Sequence, residues 1–351
     1  MIFRLYKPEV FQGNLKRNNY FEGWYYKHVS ADLQHVISFI PGISLNKNDS
    51  HAFIQVLDGI TGTSEYYYYP LSEFSWDNNR LFLKIGNSIF TANYICLDIR
   101  QHKRTIIGRL NYINIIRYPK TLLSPGIMGW YSFIPTMECK HGIVSVNHDL
   151  SGMLYLDDLQ YDFDNGKGYI EKDWGTSFPE SWLWIQANNF NNRSTSFNFS
   201  LAKIPWRKKF FIGLICFMYY NNKFYKFNTY NKASISELRH SDNLIFITIR
   251  NREHILRISC LNRKSGELKA PVYGQMTRGI KEGNDADVRV ALYDNENKVL
   301  YTDSSKRAGL EIIEEIFEYF ENNKDGERKQ EHQENNISAT ATHGWGRVQG
   351  S

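Results

Sequence analysis

The strongest constraint on the fold is a hairpin pattern that recurs along the chain. Arg80 to Phe90, Phe210 to Phe227, Leu244 to Leu261 and Val288 to Tyr301 each read as two short strands around a polar turn. The turns fall at Gly86-Asn87, Asn221-Asn222, Asn251-Arg252-Glu253 and Asn295-Glu296-Asn297. Gly and Asn tolerate the left-handed backbone that tight hairpins demand, and aromatic and β-branched residues suit the flanking strands. With 15% aromatic residues, the chain reads as all-β. Successive hairpins build antiparallel sheets, which bury one face by closing into barrels or stacking as sandwiches. No regular strand–helix alternation argues for a parallel sheet. Gly166-Lys-Gly168 lacks the third glycine of a dinucleotide fingerprint, and there is no phosphate loop.

The segment Asp157 to Lys167 (DDLQYDFDNGK) is polar and turn-rich. It is the expected boundary between two β lobes, 1–157 and 168–310. Near the end, AGLEIIEEIFEYFE places Ile313, Ile316, Phe317 and Phe320 at helical spacing, so a short helix is expected over 311–321, although its first part would also suit a final strand. Residues 322–351 begin with a stretch devoid of apolar residues and continue small and polar, which predicts a disordered tail.

The net charge of +5 is mild and no basic stripe follows it, so nucleic acid is not an expected partner. Cys96, Cys139, Cys216 and Cys260 are scattered, with no CxxC pair for structural zinc. The first residues lack the pattern of a signal or transit peptide, and the longest apolar run, Phe210 to Tyr220, is too short to span a bilayer. A cytoplasmic location with free thiols is therefore expected. Peripheral membrane contact stays open.

Three segments mix acids with aromatic rings. In YFEGWYYK, strand alternation puts Tyr20, Glu22, Trp24 and Tyr26 on one face. A carboxyl among rings is desolvated and keeps its proton more readily; a rim carboxylate paired with a base explains Glu22 more simply. The second segment, Pro125 to His148, holds Trp130, Glu138, His141 and His148. Two His and one Glu are a conceivable ligand set, but the spacing matches no HExxH helix and a core histidine is the commoner outcome. No metal is expected. In the third, GYIEKDWGTSFPESWLWIQANNF, Glu171 and Asp173 share one strand face while Lys172 and Trp174 share the other. Two carboxylates so close repel when both ionise, so one should hold a proton and serve as a general acid. A surface pair bridged to Lys or Arg fits the spacing equally well. Trp182, Trp184, Gln186 and Asn188 share a face and form a mixed aromatic and polar wall suited to an amphipathic ligand.

At these segments, in YFEGWYYK (Tyr20 to Lys27), GWYSFIPTMECKHGIVSVNH (Gly129 to His148) and GYIEKDWGTSFPESWLWIQANNF (Gly168 to Phe190), the chain resembles the tocopherol cyclase family. More distantly, Glu171-Lys-Asp-Trp-Gly175 is similar to the acid-x-acid-Trp-Gly signature of carotenoid hydratase-like proteins, which often have His where this chain has Lys172. The resemblance implies two lipocalin-like antiparallel β-barrels. It also implies a cofactor-free, acid-catalysed cyclisation in which a protonated alkene is captured by a phenol oxygen. The implied partner is a hydrophobic small molecule such as a prenylquinol. On this basis Asp173 is the first candidate acid, Glu171 its partner and Glu22 the alternative. Trp24, Tyr26, Trp130, Glu138, His141, Trp174, Trp182, Trp184, Gln186 and Asn188 are the expected substrate contacts. Trp24 and Trp174 are expected in one pocket with Trp182 or Trp184. The competing reading is a lipocalin-like carrier that holds an apolar ligand unchanged.

Overall fold

The structure is a computed structural model that describes residues 2–101, 104–206, 209–313 and 315–321. The expected tail at 322–351 lies outside the described residues. The first sheet contains β1 (Tyr20–Val29), β2 (Val36–Leu45), β3 (His51–Asp58), β4 (Ser64–Pro70), β5 (Phe74–Trp76), β6 (Phe82–Ile85), β7 (Ser88–Thr91), β8 (Tyr94–Gln101), β9 (Arg104–Ile116), β10 (Cys139–Leu156), β11 (Leu159–Asp162) and β12 (Lys167–Gly175). The second contains β13 (Trp182–Ala187), β14 (Ser196–Trp206), β15 (Lys209–Tyr220), β16 (Lys223–Asn228), β17 (Ser234–Ser241), β18 (Leu244–Arg250), β19 (His254–Leu261), β20 (Gly266–Val272), β21 (Gln275–Asp294) and β22 (Val299–Ile312).

The strand orders explain how each sheet closes. The first runs β4-β3-β2-β1-β12-β10-β9-β8-β7-β6-β5, and the second β16-β15-β14-β13-β22-β21-β19-β18-β17. The outermost strands of each order are consecutive in the chain, joined through single short turns at Leu71–Glu73 and Thr229–Asn231. The chain thereby ties the two ends of each sheet together, and two lipocalin-like β-barrels result. The expected hairpins form where the turn residues placed them. Gly86, Asn221, Asn222 and Asn297 all adopt positive φ, as their turns require.

Two boundaries differ from expectation. Residues 157–167 do not separate the lobes: β11 folds back on β10, and β12 pairs with β1 and β10 inside the first sheet. The chain passes to the second sheet between Gly175 and Trp182. A polar, turn-rich stretch marks a hairpin as readily as a domain boundary. The terminal helix is also shorter than 311–321. Glu311 is still in β22, opposite Trp184 and Glu282, and helix occupies 315–321. Cross-strand pairing on both sides of β22 overrides the local helical pattern. Among the described residues, no helix is long and apolar enough to cross a membrane.

Each barrel interior is filled with side chains. The first holds Trp24, Tyr26, Phe39, Phe90, Ile170 and Trp174, and the second Leu183, Ile185, Phe199, Met218 and Ile247. A third apolar cluster, including Tyr25, Tyr169, Trp182, Trp184 and Phe217, lies between the barrels.

One buried ion pair pins the start of the chain to the first barrel. Lys172 and Glu22 pair with both side chains fully buried. Lys172 also donates to the carbonyls of Pro8 and Val10 at 2.8 and 2.6 Å, and its Nζ sits 4.6 and 4.7 Å from the ring centres of Trp24 and Trp174. Glu22 accepts the backbone N–H groups of Gln12 and Gly13 and the Tyr20 hydroxyl. Every charge is thus partnered, the condition for burying one at all. Glu22→Gln should destabilise the fold by about 3–5 kcal/mol, because it leaves a buried ammonium without its counter-charge. Urea denaturation checks this, and a change within experimental error would contradict it.

Candidate active site between the barrels

Strand alternation sorts the expected site residues into two places. The even residues of β12, Lys172 and Trp174, point into the first barrel, and the odd residues Tyr169, Glu171 and Asp173 face the second. On β1, Tyr20, Glu22, Trp24 and Tyr26 point into the first barrel while Tyr25 and Lys27 face outward. On β13, Trp182 and Trp184 face the first barrel, and Leu183 and Ile185 fill the second.

A partly open cleft of about 140 Å³ lies where these outward faces meet. Its lining includes Glu138, His141, Glu171, Asp173, Trp182, Trp184 and Glu311, with apolar walls from residues such as Met128, Phe178, Ile204 and Phe211. The structure therefore brings together six of the residues singled out in the sequence. Glu22, Trp24, Tyr26 and Trp174 are not among them. They belong to the first barrel's packing, so the expected pocket shared by Trp24, Trp174 and Trp182 or Trp184 does not exist. Glu22 as an alternative acid falls with it, since its carboxyl is committed to Lys172 and is sealed from the cleft. Trp130 is 48% exposed and is not part of the lining itself, although it stacks on Tyr131, which is. Gln186 and Asn188 lie deeper between the barrels, where Gln186 accepts from Lys27 Nζ at 3.0 Å and Asn188 donates to the Gly168 carbonyl at 2.8 Å.

Local backbone geometry sets the acid cluster. At the end of β12, Gly175 has φ +154°, and a Cβ there would lie 2.0 Å from the Glu138 carbonyl. Only glycine permits this approach, which holds the start of β10 beside the end of β12. His141 then stands directly opposite Asp173. Its Nδ1 donates to Asp173 Oδ1 at 3.0 Å, and its Nε2 lies 3.7 Å from Glu171 Oε2 with no hydrogen-bond partner. Glu171 in turn accepts the Tyr169 hydroxyl at 2.6 Å.

Burial and charge act against each other here. Burial alone would lower the His141 pKa, but the Asp173 and Glu171 carboxylates outweigh it and push it up to about 9. Opposite charges about 4 Å apart attract by about 4 kcal/mol at an effective dielectric near 20, enough to reverse a desolvation penalty of a few kcal/mol. Glu171 moves up to about 8, first because burial disfavours its charge, with Asp173 adding repulsion and His141 only partly relieving it. The cluster thus sets an imidazole pushed towards its charged form beside Glu171, a carboxyl that burial pushes towards its protonated form.

Ligand atoms of His141, Glu171 and Asp173 also lie within 4.8 Å of one another, so this set has the span to hold a metal ion. The set first considered, Glu138, His141 and His148, is not assembled. His148 lies beside Tyr112 and bonds Ser145, away from the cleft, and burial holds its pKa well below the usual range.

Sequence reasoning missed Glu311 and Glu282. Glu311 Oε2 accepts the Trp182 indole N–H at 2.6 Å, and Glu282 sits opposite it on β21 with 1% of its surface exposed. Their pairing runs between strands distant from β12 in sequence. The only local signal was a glutamate in an apolar run, which also suited a helix.

The sequence profile of the tocopherol cyclase-like family matches residues 114–313, and the chain belongs to that family. It is 24% identical over 198 residues to a probable chloroplastic tocopherol cyclase of Oryza sativa subsp. japonica, an alignment covering 52% of this chain and 41% of that protein. It is also 24% identical over 195 residues to a chloroplastic tocopherol cyclase of Zea mays, with the same shares covered. The matched region thus spans less than half the length of these curated relatives. The crystal structure of CghA with Sch210972 shares the fold, with a TM-score of 0.54 at 9% identity over 84% of this chain and 88% of that one.

His141 should titrate near pH 9 by histidine-selective NMR, well above an ordinary imidazole. Asp173→Asn should lower that value, because it removes the nearest opposing charge. A wild-type titration near 6.5, the unperturbed value, would contradict the ion pair.

Proposed function

We propose that the chain catalyses acid-promoted, intramolecular ring closure of a prenylated quinol, or a similar isoprenoid-like molecule, held in the cleft between the barrels. The observation that carries this reading is Glu171: a buried carboxyl that keeps its proton near neutrality, at the wall of an apolar and aromatic cleft. Family membership and the relatives named tocopherol cyclase support the reaction class.

The chemistry assigns the roles. An alkene is a weak base, so protonating it needs a carboxylic acid with little competing water. Glu171 suits this task better than Asp173, the first candidate by sequence. Asp173 already accepts a proton-bearing nitrogen from His141, so it serves as the counter-ion that holds the imidazolium in place. Protonation leaves a tertiary cation, which the faces of Trp182 and Trp184 would stabilise. The phenol oxygen then closes the ring. Proton transfer and capture are complete without a redox partner, so the reaction calls for no cofactor.

Incubation with a prenylated trimethylquinol, followed by chromatography and mass spectrometry, should give a cyclic product of unchanged mass. Glu171→Gln should lower the rate by about 10²-fold or more while ligand still binds. The donor form of Glu171 predominates below its pKa of about 8, so the rate should fall as pH rises through that value. Recovery of the quinol unchanged from active, ligand-binding protein would favour a carrier. Wild-type turnover by Glu171→Gln would remove Glu171 from the chemistry.

A further inference from the structure

Ring closure needs two proton transfers, and Glu171 supplies one. The phenol oxygen must lose its own proton as the C–O bond forms. A second carboxyl, with no part in protonating the alkene, stands in the same cleft. Glu311 lines the cleft from β22, next to Trp182 and directly opposite Trp184 in the strand register. Behind it lies Glu282, almost fully buried.

The geometry of this pair is unusual for two acids. They are cross-strand partners on β21 and β22, with Glu282 buried behind Glu311. Burial first, and the neighbouring Glu311 charge second, push Glu282 well above the usual carboxylate range, which favours its protonated form. A Glu282 oxygen, Oε1, is buried without a partner. The Trp184 indole N–H, in a ring only 5% exposed that lines the cleft, also has no acceptor. Gly309 lets that ring lie against β22, since a Cβ there would come within 2.7 Å of it. A buried donor without an acceptor, on a residue paired in register with a cleft-lining glutamate, suits an oxygen that can both accept and donate.

We propose that Glu311, backed by Glu282, forms a hydroxyl-binding site in the cleft and takes up the phenol proton released on ring closure. This rests on the cleft being the substrate site. The ligand oxygen accepts from Trp184 and donates to Glu311. In the reaction, Glu171 gives its proton to the alkene, the double-bond electrons form the new C–H bond, and a tertiary cation results. An oxygen lone pair then forms the C–O bond as the O–H bond breaks, and that proton passes to Glu311. The sum is an isomerisation with no redox change. Transfer of one proton from Glu311 back to Glu171 restores the starting state.

The electrostatic surroundings suit a proton acceptor that stays within reach of neutrality. Glu171 and Asp173 face the pair from β12, His141 from β10, Tyr25 and Lys27 from β1, and Arg278 stacks 5.2 Å from the Trp182 ring that bonds Glu311. Burial raises both members of the pair, Glu282 strongly and Glu311 to about 7. Lys27 is lowered to about 7 by burial, offset by Glu282 and Glu171.

The test reads binding, so it stands even if the chain closes no ring. Trimethylhydroquinone and its dimethyl ether, which lacks hydroxyl protons, are titrated against the full chain by tryptophan fluorescence. Wild type should prefer the quinol by about 10-fold or more, Glu311→Gln should weaken that preference, and Glu311→Leu should abolish it. Equal affinities in wild type, or an undiminished preference in Glu311→Leu, would overturn the proposal. Infrared difference spectra at neutral pH between wild type and Glu282→Gln should show loss of a protonated carboxyl band. If Glu282→Gln does not fold, Glu311→Gln replaces it. A difference containing only carboxylate bands would show that the pair holds no proton, and the proposal would fail. Absence of cyclisation by wild type with the quinol preference intact would overturn the proposed reaction while keeping this site.

Discussion

Everything in this fold turns on the two faces of β12. The strand lies between β1 and β10, and its side chains alternate between the first barrel's interior and the seam with the second barrel. Lys172 and Trp174 go inward, where Lys172 meets Glu22 and ties down the first residues of the chain. Glu171 and Asp173 go outward to His141 and the cleft. A slip of one residue would exchange the two sets, placing an unpaired ammonium in the cleft and two carboxylates in an apolar core. The buried ion pair therefore fixes the register on which the outward carboxyls depend.

The site lies outside both barrels, where two walls meet. Both interiors are filled by their own aromatic and aliphatic residues, so the lumen that gives many small barrels a ligand cavity is occupied here. A seam between two rigid sheets has a different advantage. Each wall contributes acids from its own strands, β12 giving Glu171 and Asp173, and β22 giving Glu311. Opposed carboxyls raise one another's pKa values, and the intervening tryptophans exclude water that would screen them. The proposed proton donor, Glu171, and the proposed acceptor, Glu311, thus stand on different walls of one cleft.

Much of this was legible locally. Hairpins announced themselves through their turns because Asn221-Asn222 and Gly86 must adopt left-handed backbone whatever lies around them. The separation of Glu171 and Asp173 from Lys172 and Trp174 followed from the period of a strand alone. The contents of the cleft were harder to read, because alternation assigns a face but not what lies behind it. Trp24 and Trp174 looked like cleft walls and proved to flank Lys172 inside a barrel. Glu311 fell at the start of the expected helix, and its place opposite Glu282 and Trp184 depends on pairing with residues that are not near it in sequence. The polar stretch at 157–167 suggested a boundary because turn composition is common to hairpins and linkers.

The central claim is that the chemistry belongs to the seam between the barrels. A crystal structure of the protein with a non-cyclisable prenylquinol analogue, its alkene reduced, tests this directly. The account predicts the quinol head between Glu171 and Glu311, with the chain against Trp182 and Trp184. An analogue bound within either barrel, or on a surface remote from β12, would contradict it.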